Sequence, residues 1–276
     1  MLKFTKMNGA GNDFVLVDNR DGKLQLSRET IARLCDRHRG IGADGLLAVE
    51  SAKPPQNESG ENGADFQMRY YNSDGGEAEM CGNGARCFAR FAQRLSEKSG
   101  AISFETLAGK ITAQFVGEQI RLAMSEPRDL RLDEQLALKL ETARVHSVNT
   151  GVPHAVVFVE DLENVAVARL GAEIRFHEHF APRGTNVNFA KQLDAQNIAI
   201  RTYERGVEAE TLACGTGVVA SALIFHKLKN APAPIGVRVR GGERLEVSFE
   251  KTGDGIFKNV TLTGPADFVF EGEIEI

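Results

Sequence analysis

The sequence predicts an α/β (α+β) fold built as two pseudosymmetric halves, each with strands wrapped around a central helix. Three observations point there. Two glycine-flanked cysteines, Met80-Cys81-Gly82-Asn83-Gly84 and Ala213-Cys214-Gly215-Thr216-Gly217, each follow a strand-like segment with an acidic loop and precede a run of helix formers. Further blocks recur around them in the same order in both parts of the chain. Strands outnumber helices, without the regular βαβ alternation of a doubly wound sheet.

The repeat justifies each element in turn. Gly11-Asn12-Asp13-Phe14 leads into the strand Val15-Leu16-Val17, as Gly151-Val152-Pro153-His154 leads into Ala155–Val159. Arg39-Gly40-Ile41-Gly42 precedes the strand Leu46–Glu50, as Arg183-Gly184-Thr185-Asn186 precedes Val187–Ala190. Met68-Arg69-Tyr70-Tyr71-Asn72 matches Ile200-Arg201-Thr202-Tyr203-Glu204, ending nine and ten residues before the respective cysteine. Gly-rich turns before strands are common singly; a shared order is harder to obtain by chance. β-Branched and alternating runs add strands at Asp65–Tyr71, Ile102–Thr106 and Lys110–Val116 in the first half. The second half adds Val237–Arg240, Leu245–Glu250 and Val260–Thr263. Helices are predicted at Ser27–His38, with Ser27 as cap, at Asn83–Glu97 and at Thr216–Lys229. Ser51–Ala64 reads as a surface insertion and Ala231–Gly236 as a turn. The tail Ala266–Ile276 reads as a strand that composition assigns to neither half.

Composition narrows the function classes. The 276 residues suffice for one large domain or two smaller ones. A net charge of −5 and the lack of any basic run argue against a nucleic-acid partner. No signal-peptide core and no long apolar run occur, so neither secretion nor a membrane span is expected. Four cysteines are too few for a disulfide scaffold, and the expectation is a cytoplasmic protein with free thiols.

The chemistry resides in Cys81 and Cys214. A free thiol has a pKa of about 8.5, and lowering it to ~6.5 requires about 2.7 kcal/mol. A helix N-terminus supplies roughly 0.3–1 kcal/mol, or up to ~2 when partly buried. The helix start is therefore insufficient alone, and Gly-rich backbone donors or polar partners must add to it; His154, Glu204 and Glu210 are candidates. Gly82, Gly84, Gly215 and Gly217 permit close backbone approach, so their N–H groups suit a carboxylate. Two facing cradles would hold an amino acid's α-carboxylate, with one thiolate removing the α-proton and the opposing thiol protonating the other face. Cys35 and Cys87, placed inside helices, read as core residues. The cysteine spacing does not suit zinc, so no metal is expected. Gly82-x-Gly84 lacks the third glycine of a dinucleotide loop and a following βαβ unit. Gly109-Lys110 is followed by Ile111 rather than the Ser or Thr of a phosphate loop.

These motifs resemble the diaminopimelate epimerase family from Met7 to the C-terminus. The blocks that carry the resemblance are Met7-Asn8-Gly9-Ala10-Gly11-Asn12-Asp13-Phe14, Cys81-Gly82-Asn83-Gly84-Ala85-Arg86-Cys87, and Glu204-Arg205-Gly206 through Ala213-Cys214-Gly215-Thr216-Gly217. The resemblance implies interconversion of LL- and meso-diaminopimelate without cofactor or metal, in the lysine and cell-wall pathway. It implies two halves, each a mostly antiparallel sheet around a central helix, spanning 1–123 plus 265–276 and 124–264. A homodimer is implied in the same way. Carried over by motif, Cys81 and Cys214 match the acid and base, and Gly82 and Asn83 with Gly215 and Thr216 match the carboxylate cradle. Asn12, Asn72, Asn186, Glu204 and Arg205 match residues that hold the rest of the substrate. Arg205 suits a distal carboxylate through paired hydrogen bonds. His154 and Glu204 match positions that tune the thiols.

Two positions depart from part of the family: Val152 stands where some members have Asn, and Gly45 where some have Gln. The alternatives are a proline or hydroxyproline racemase of the same superfamily and a dithiol redox sensor. Those racemases usually carry His where Asn83 stands here. Asn72, Asn83, Asn186 and Arg205 favour a long substrate charged at both ends.

Overall fold

The computed structural model describes residues 1–52, 63–253 and 255–276. Most of the expected insertion at 51–64 therefore lies outside the described residues. The chain divides into two compact units, Met1–Leu122 with Gly264–Ile276, and Ala123–Thr263.

In the first unit, β1 (Leu2–Gly9) and β2 (Asn12–Asp18) form a hairpin, followed by α1 (Arg28–Cys35), β3 (Gly45–Ser51) and β4 (Phe66–Asn72). Helix α2 (Gly82–Ser96), β5 (Ala101–Thr106), β6 (Gly109–Val116) and β7 (Gln119–Ala123) complete this stretch. The second unit opens on β8 (Arg128–Ala137), β9 (Thr142–Asn149), β10 (Pro153–Phe158) and α3 (Val167–Arg175). It continues with β11 (Asn186–Gln192), β12 (Asn197–Glu204), β13 (Ala209–Thr211) and α4 (Gly215–Lys229). Strands β14 (Ile235–Arg238), β15 (Arg244–Gly253) and β16 (Ile256–Pro265) follow. The last strand, β17 (Asp267–Ile274), returns to pair antiparallel with β1 from Leu2↔Ile274 to Asn8↔Asp267, which assigns the tail to the first unit.

The two units repeat one pairing order. Along β17-β1-β2-β3-β4-β5-β6-β7 the pairs are antiparallel except β2 with β3 and β4 with β5. Along β8-β9-β10-β11-β12-β14-β15-β16 they are antiparallel except β10 with β11 and β12 with β14. Each parallel pair is bridged by a helix, as parallel neighbours require a crossover. The expected absence of a βαβ unit after Gly82 is thereby corrected, because α2 joins the parallel strands β4 and β5. The phosphate-cradling glycine pattern is still incomplete there, with Cys87 at its third position.

Helices α2 and α4 are the central ones. Residues Val218 to Phe225 of α4 are all buried, and a helix apolar on every side belongs inside a core. Ala85, Cys87, Phe88, Ala89, Phe91 and Ala92 of α2 are buried likewise. Both helices end on a left-handed residue, Glu97 (φ 55°) and Asn230 (φ 51°). Helix α1 is capped by Ser27, whose hydroxyl accepts from Thr30 N, and it stops at Cys35, short of the expected His38. Gly40 and Gly42 then fold back onto α1, where Ile41 N and Gly42 N reach the Leu34 carbonyl, and this ends the helix early. Among the described residues, no helix is long and apolar enough to cross a membrane.

Candidate active site

In each unit the strand before the central helix turns back on itself and delivers a cysteine to the helix cap. Tyr71 bridges Glu77 after β4, and β12 pairs with β13 from Thr202↔Thr211 to Glu204↔Ala209. One ion pair clips each turn: Arg69 with Glu77, and Arg201 Nε and Nη2 with the Glu210 carboxylate, both at 2.7 Å. Glu210 is thus committed to Arg201, and the thought that it tunes a thiol gives way to a structural role. Cys81 (φ −132°, ψ 124°) and Cys214 (φ −124°, ψ 109°) then occupy the N-cap positions of α2 and α4. The first turn of a helix has backbone N–H groups without intrahelical partners, so Gly82–Asn83 and Gly215–Thr216 each present donors beside a sulfur.

Two residues beyond Cys81, Asn83 opens a network of carboxamides and charges. The Asn83 carboxamide accepts from Arg86 Nη2 (2.7 Å) and donates to Asn12 Oδ1 (2.7 Å), and Asn12 donates on to Asp44 Oδ2 (2.9 Å). Arg37 joins Asp44 to Asp13, which also pairs with Lys6 Nζ at 2.8 Å. Burial would raise the Asp13 carboxyl, but Arg37 and Lys6 hold it well below the usual carboxylate range. Arg86 is fully buried, and its guanidinium reaches the carbonyls of Gly9, Gly82 and Pro265. It ties β1, the start of α2 and the entry to β17 together. Asn72 is exposed, with Oδ1 accepting from the Tyr70 hydroxyl at 2.9 Å. Gly45 has no room for a side chain, since a Cβ would lie 2.5 Å from the Tyr71 carbonyl oxygen. With this backbone a glutamine at this position does not fit.

Around Cys214 the surroundings are hydroxyl and imidazole. Cys214 Sγ lies 3.5 Å from Thr216 Oγ1, and Thr216 Oγ1 lies 2.9 Å from His154 Nε2. Behind the ring, Asn188 Nδ2 sits 3.2 Å from His154 Nδ1. Burial pushes the His154 imidazole down to about 3, and the nearby Arg205 charge acts in the same direction. Burial also pushes the Glu204 carboxyl up, opposed in part by the Thr211 hydroxyl. Asn186 accepts from the Arg205 backbone N at 2.8 Å and donates to the Pro153 carbonyl at 3.3 Å, so its carboxamide holds the Arg205 turn in place. Val152, half-buried, accepts from Thr150 N through its carbonyl.

The other thiols are different. Burial pushes Cys35 up to about 11 and Cys87 up to about 12, so both stay protonated in the core. Arg86 and Asn188 help shape these sites and were not among the sequence candidates. The available signal was a polar side chain inside an otherwise apolar stretch, Val187-Asn188-Phe189-Ala190 and Ala85-Arg86-Cys87-Phe88. Among the described residues, no group of three or more His, Cys, Asp or Glu is placed to hold a metal ion.

A duplicated α/β unit with a cysteine capping each central helix agrees with the epimerase class that the sequence motifs resemble. Comparison with known proteins narrows the class. The family model for diaminopimelate epimerase matches residues 4–129 and 146–269, and this chain belongs to that family. A diaminopimelate epimerase from Aquifex aeolicus is 43% identical over 287 residues, covering 99% of this chain and 98% of that protein. Another, from Chlorobaculum tepidum, is 40% identical, covering 98% of this chain and 100% of that protein. Among solved structures, a phenazine biosynthesis protein of the PhzF family from Bacillus anthracis superposes with a TM-score of 0.71 at 16% identity, covering 100% of this chain and 99% of that one. A hydroxyproline epimerase from Agrobacterium vitis gives 0.70 at 16% identity, covering 98% and 91%. At such identity the likeness is one of fold. The chain is an isomerase, an epimerase of the diaminopimelate epimerase family.

Proposed function

We propose that this protein interconverts LL- and meso-diaminopimelate by two-base proton transfer between thiols and the α-carbon. The observation that carries the reading is the cysteine at the cap of each central helix, at equivalent points of a duplicated fold. Full-length identity of 38–43% to diaminopimelate epimerases supports diaminopimelate as the substrate.

In this reading one cysteine acts as thiolate and takes the α-proton, and the thiol of the other delivers its proton to the opposite face. The two sulfurs exchange protonation states over the turnover, so the reverse direction starts from the complementary form. First-turn N–H groups at Gly82–Asn83 and Gly215–Thr216 receive the α-carboxylate and stabilise charge as it moves from the α-carbon onto the carboxylate oxygens. Asn12, Asn72, Asn186, Glu204 and Arg205 select the distal amino acid group. For Asn12 and Asn186 the support is indirect, because their carboxamides orient Asn83 and the Arg205 turn. A cytoplasmic homodimer belongs to the same proposal, and sedimentation of the purified protein reads the oligomeric state.

Diastereomer-resolved chromatography tests the reading. Reduced protein given LL-diaminopimelate is expected to accumulate the meso form until the two interconvert at equilibrium. Cys81→Ala and Cys214→Ala are each expected to lose about 10²–10⁴-fold in kcat/KM, the scale of a lost acid–base group. Turnover of proline or hydroxyproline instead would move the protein to the racemase branch. Inactivity toward all three substrates in the fully reduced state would reject the epimerase reading in favour of a redox role.

A further inference from the structure

Asn188 lies on β11, fully buried, and its amide orientation is settled by its neighbours. Nδ2 faces the Ala155 carbonyl at 3.1 Å, and a carbonyl oxygen only accepts. Oδ1 accepts from the Thr202 hydroxyl at 2.9 Å. The same Nδ2 is 3.2 Å from His154 Nδ1, so that ring nitrogen faces an N–H and must present its lone pair. A buried imidazole that stays neutral then carries its proton on Nε2. Nε2–H points at Thr216 Oγ1, 2.9 Å away, whose own hydrogen is left to turn toward Cys214 Sγ at 3.5 Å.

We propose that Asn188 is a positioning residue that fixes the Nε2–H tautomer of His154 and thereby turns the Thr216 hydroxyl into a hydrogen-bond donor to Cys214. The chain of donors runs in one direction, from Asn188 through His154 and Thr216 to the sulfur. It favours the thiolate of Cys214 over its thiol, since a hydrogen bond to the charged form stabilises that form. The fold leaves space for it: a Cβ on Gly217 would lie 2.3 Å from Asn188 Oδ1, so glycine at that position keeps the amide in place. The first half carries different residues at the matching positions. Its register places Phe14 where His154 stands, opposite Gly45 rather than Asn186, and Asn83 follows the cysteine and glycine where Thr216 does.

The inference rests on Cys214 being a reacting thiol, and two measurements that need no turnover test it. Nitrogen-15 NMR of the His154 ring in wild-type protein is expected to show a protonated Nε2 and an unprotonated Nδ1 at neutral pH. The pH profile of iodoacetamide alkylation, read peptide by peptide, is expected to shift upward at Cys214 by about one pH unit in Asn188→Ala. The Cys81 profile in the same sample should not move. Thr216→Val should give the same shift, and the double variant no more than Thr216→Val alone, because both act along one chain. A protonated Nδ1 in the wild type would overturn the proposal, as would an unshifted Cys214 profile in Asn188→Ala. A shift shared equally by Cys81 would mark Asn188 as merely structural. Since neither reading uses diaminopimelate, a protein that fails to turn it over but shows the relay would indict the substrate assignment alone.

Discussion

His154 is withdrawn from water, and the Arg205 charge adds to the cost of protonating it. The consequence for stability has a definite sign. An unfolded histidine takes up a proton below about 6.5, whereas the folded one resists until about 3. Unfolding therefore gains a proton in that window, and stability falls as pH falls from 6.5 toward 3, by at most ~1.4 kcal/mol per pH unit. His154→Gln should flatten the decline measured by urea unfolding between pH 7 and pH 4.5, relative to wild type. Equal slopes would mean that the ring is not held neutral. Asp13 contributes in a lower window, since its stabilisation is present above its unfolded value of 3.8 and is lost only as pH falls below it. At this scale the sequence disclosed the helix-cap positions of the two cysteines and not the contacts around them. Cys81 and Cys214 were legible because glycine flanks and helix formers are local. The Asn83–Asn12–Asp44 and Asn188–His154–Thr216 contacts join residues 32 to 71 positions apart, and no local pattern reports them.

The central helices owe their place to close contacts as much as to apolar burial. A Cβ on Gly9 would lie 2.6 Å from the Asn83 carbonyl oxygen and 2.9 Å from Cys87 Sγ, so β1 approaches the first turn of α2 with no space left over. Gly9→Ala must push the helix start away. It should cost about 1–3 kcal/mol in urea unfolding, the usual cost of overpacking, and should reduce turnover because Cys81 sits on that turn. An unchanged midpoint and rate would show that the approach is looser than it looks. Most elements were readable from periodicity: β2, β3, β4, α2, α4 and the strand character of the tail. Helix α3 was not, because Ala166 provides no side-chain cap and the helix is only nine residues long. Strand β8 was missed as well. Its sequence, Arg-Asp-Leu-Arg-Leu-Asp-Glu-Gln-Leu-Ala, alternates but is largely charged and exposed, and its pairing with β9 rather than composition makes it a strand.

At the scale of the molecule, the duplication is a property of topology more than of residues. The two units share one sequence of antiparallel and parallel pairs, with a helix crossing between the strands of each parallel pair and the cysteine-capped helix making the second crossing. The return of β17 to β1 had no signal in composition, since a charged terminal strand matches either edge equally well. It is specified by long-range contacts: Phe270 edge-on to Phe4, and the Arg94 guanidinium over the Phe268 ring at 4.2 Å. In the proposed mechanism duplication supplies a second reacting thiol, and a second thiol has an isotopic consequence. With two bases, the proton placed on the product comes from a thiol equilibrated with solvent, not from the substrate. Epimerisation of LL-diaminopimelate in deuterated water, stopped within the first few per cent of conversion, should therefore give meso product fully deuterated at the inverted α-carbon, while the unreacted LL form stays protiated. Meso product that retains substrate-derived hydrogen would show a single group serving both faces, and the two-thiol mechanism would have to be abandoned.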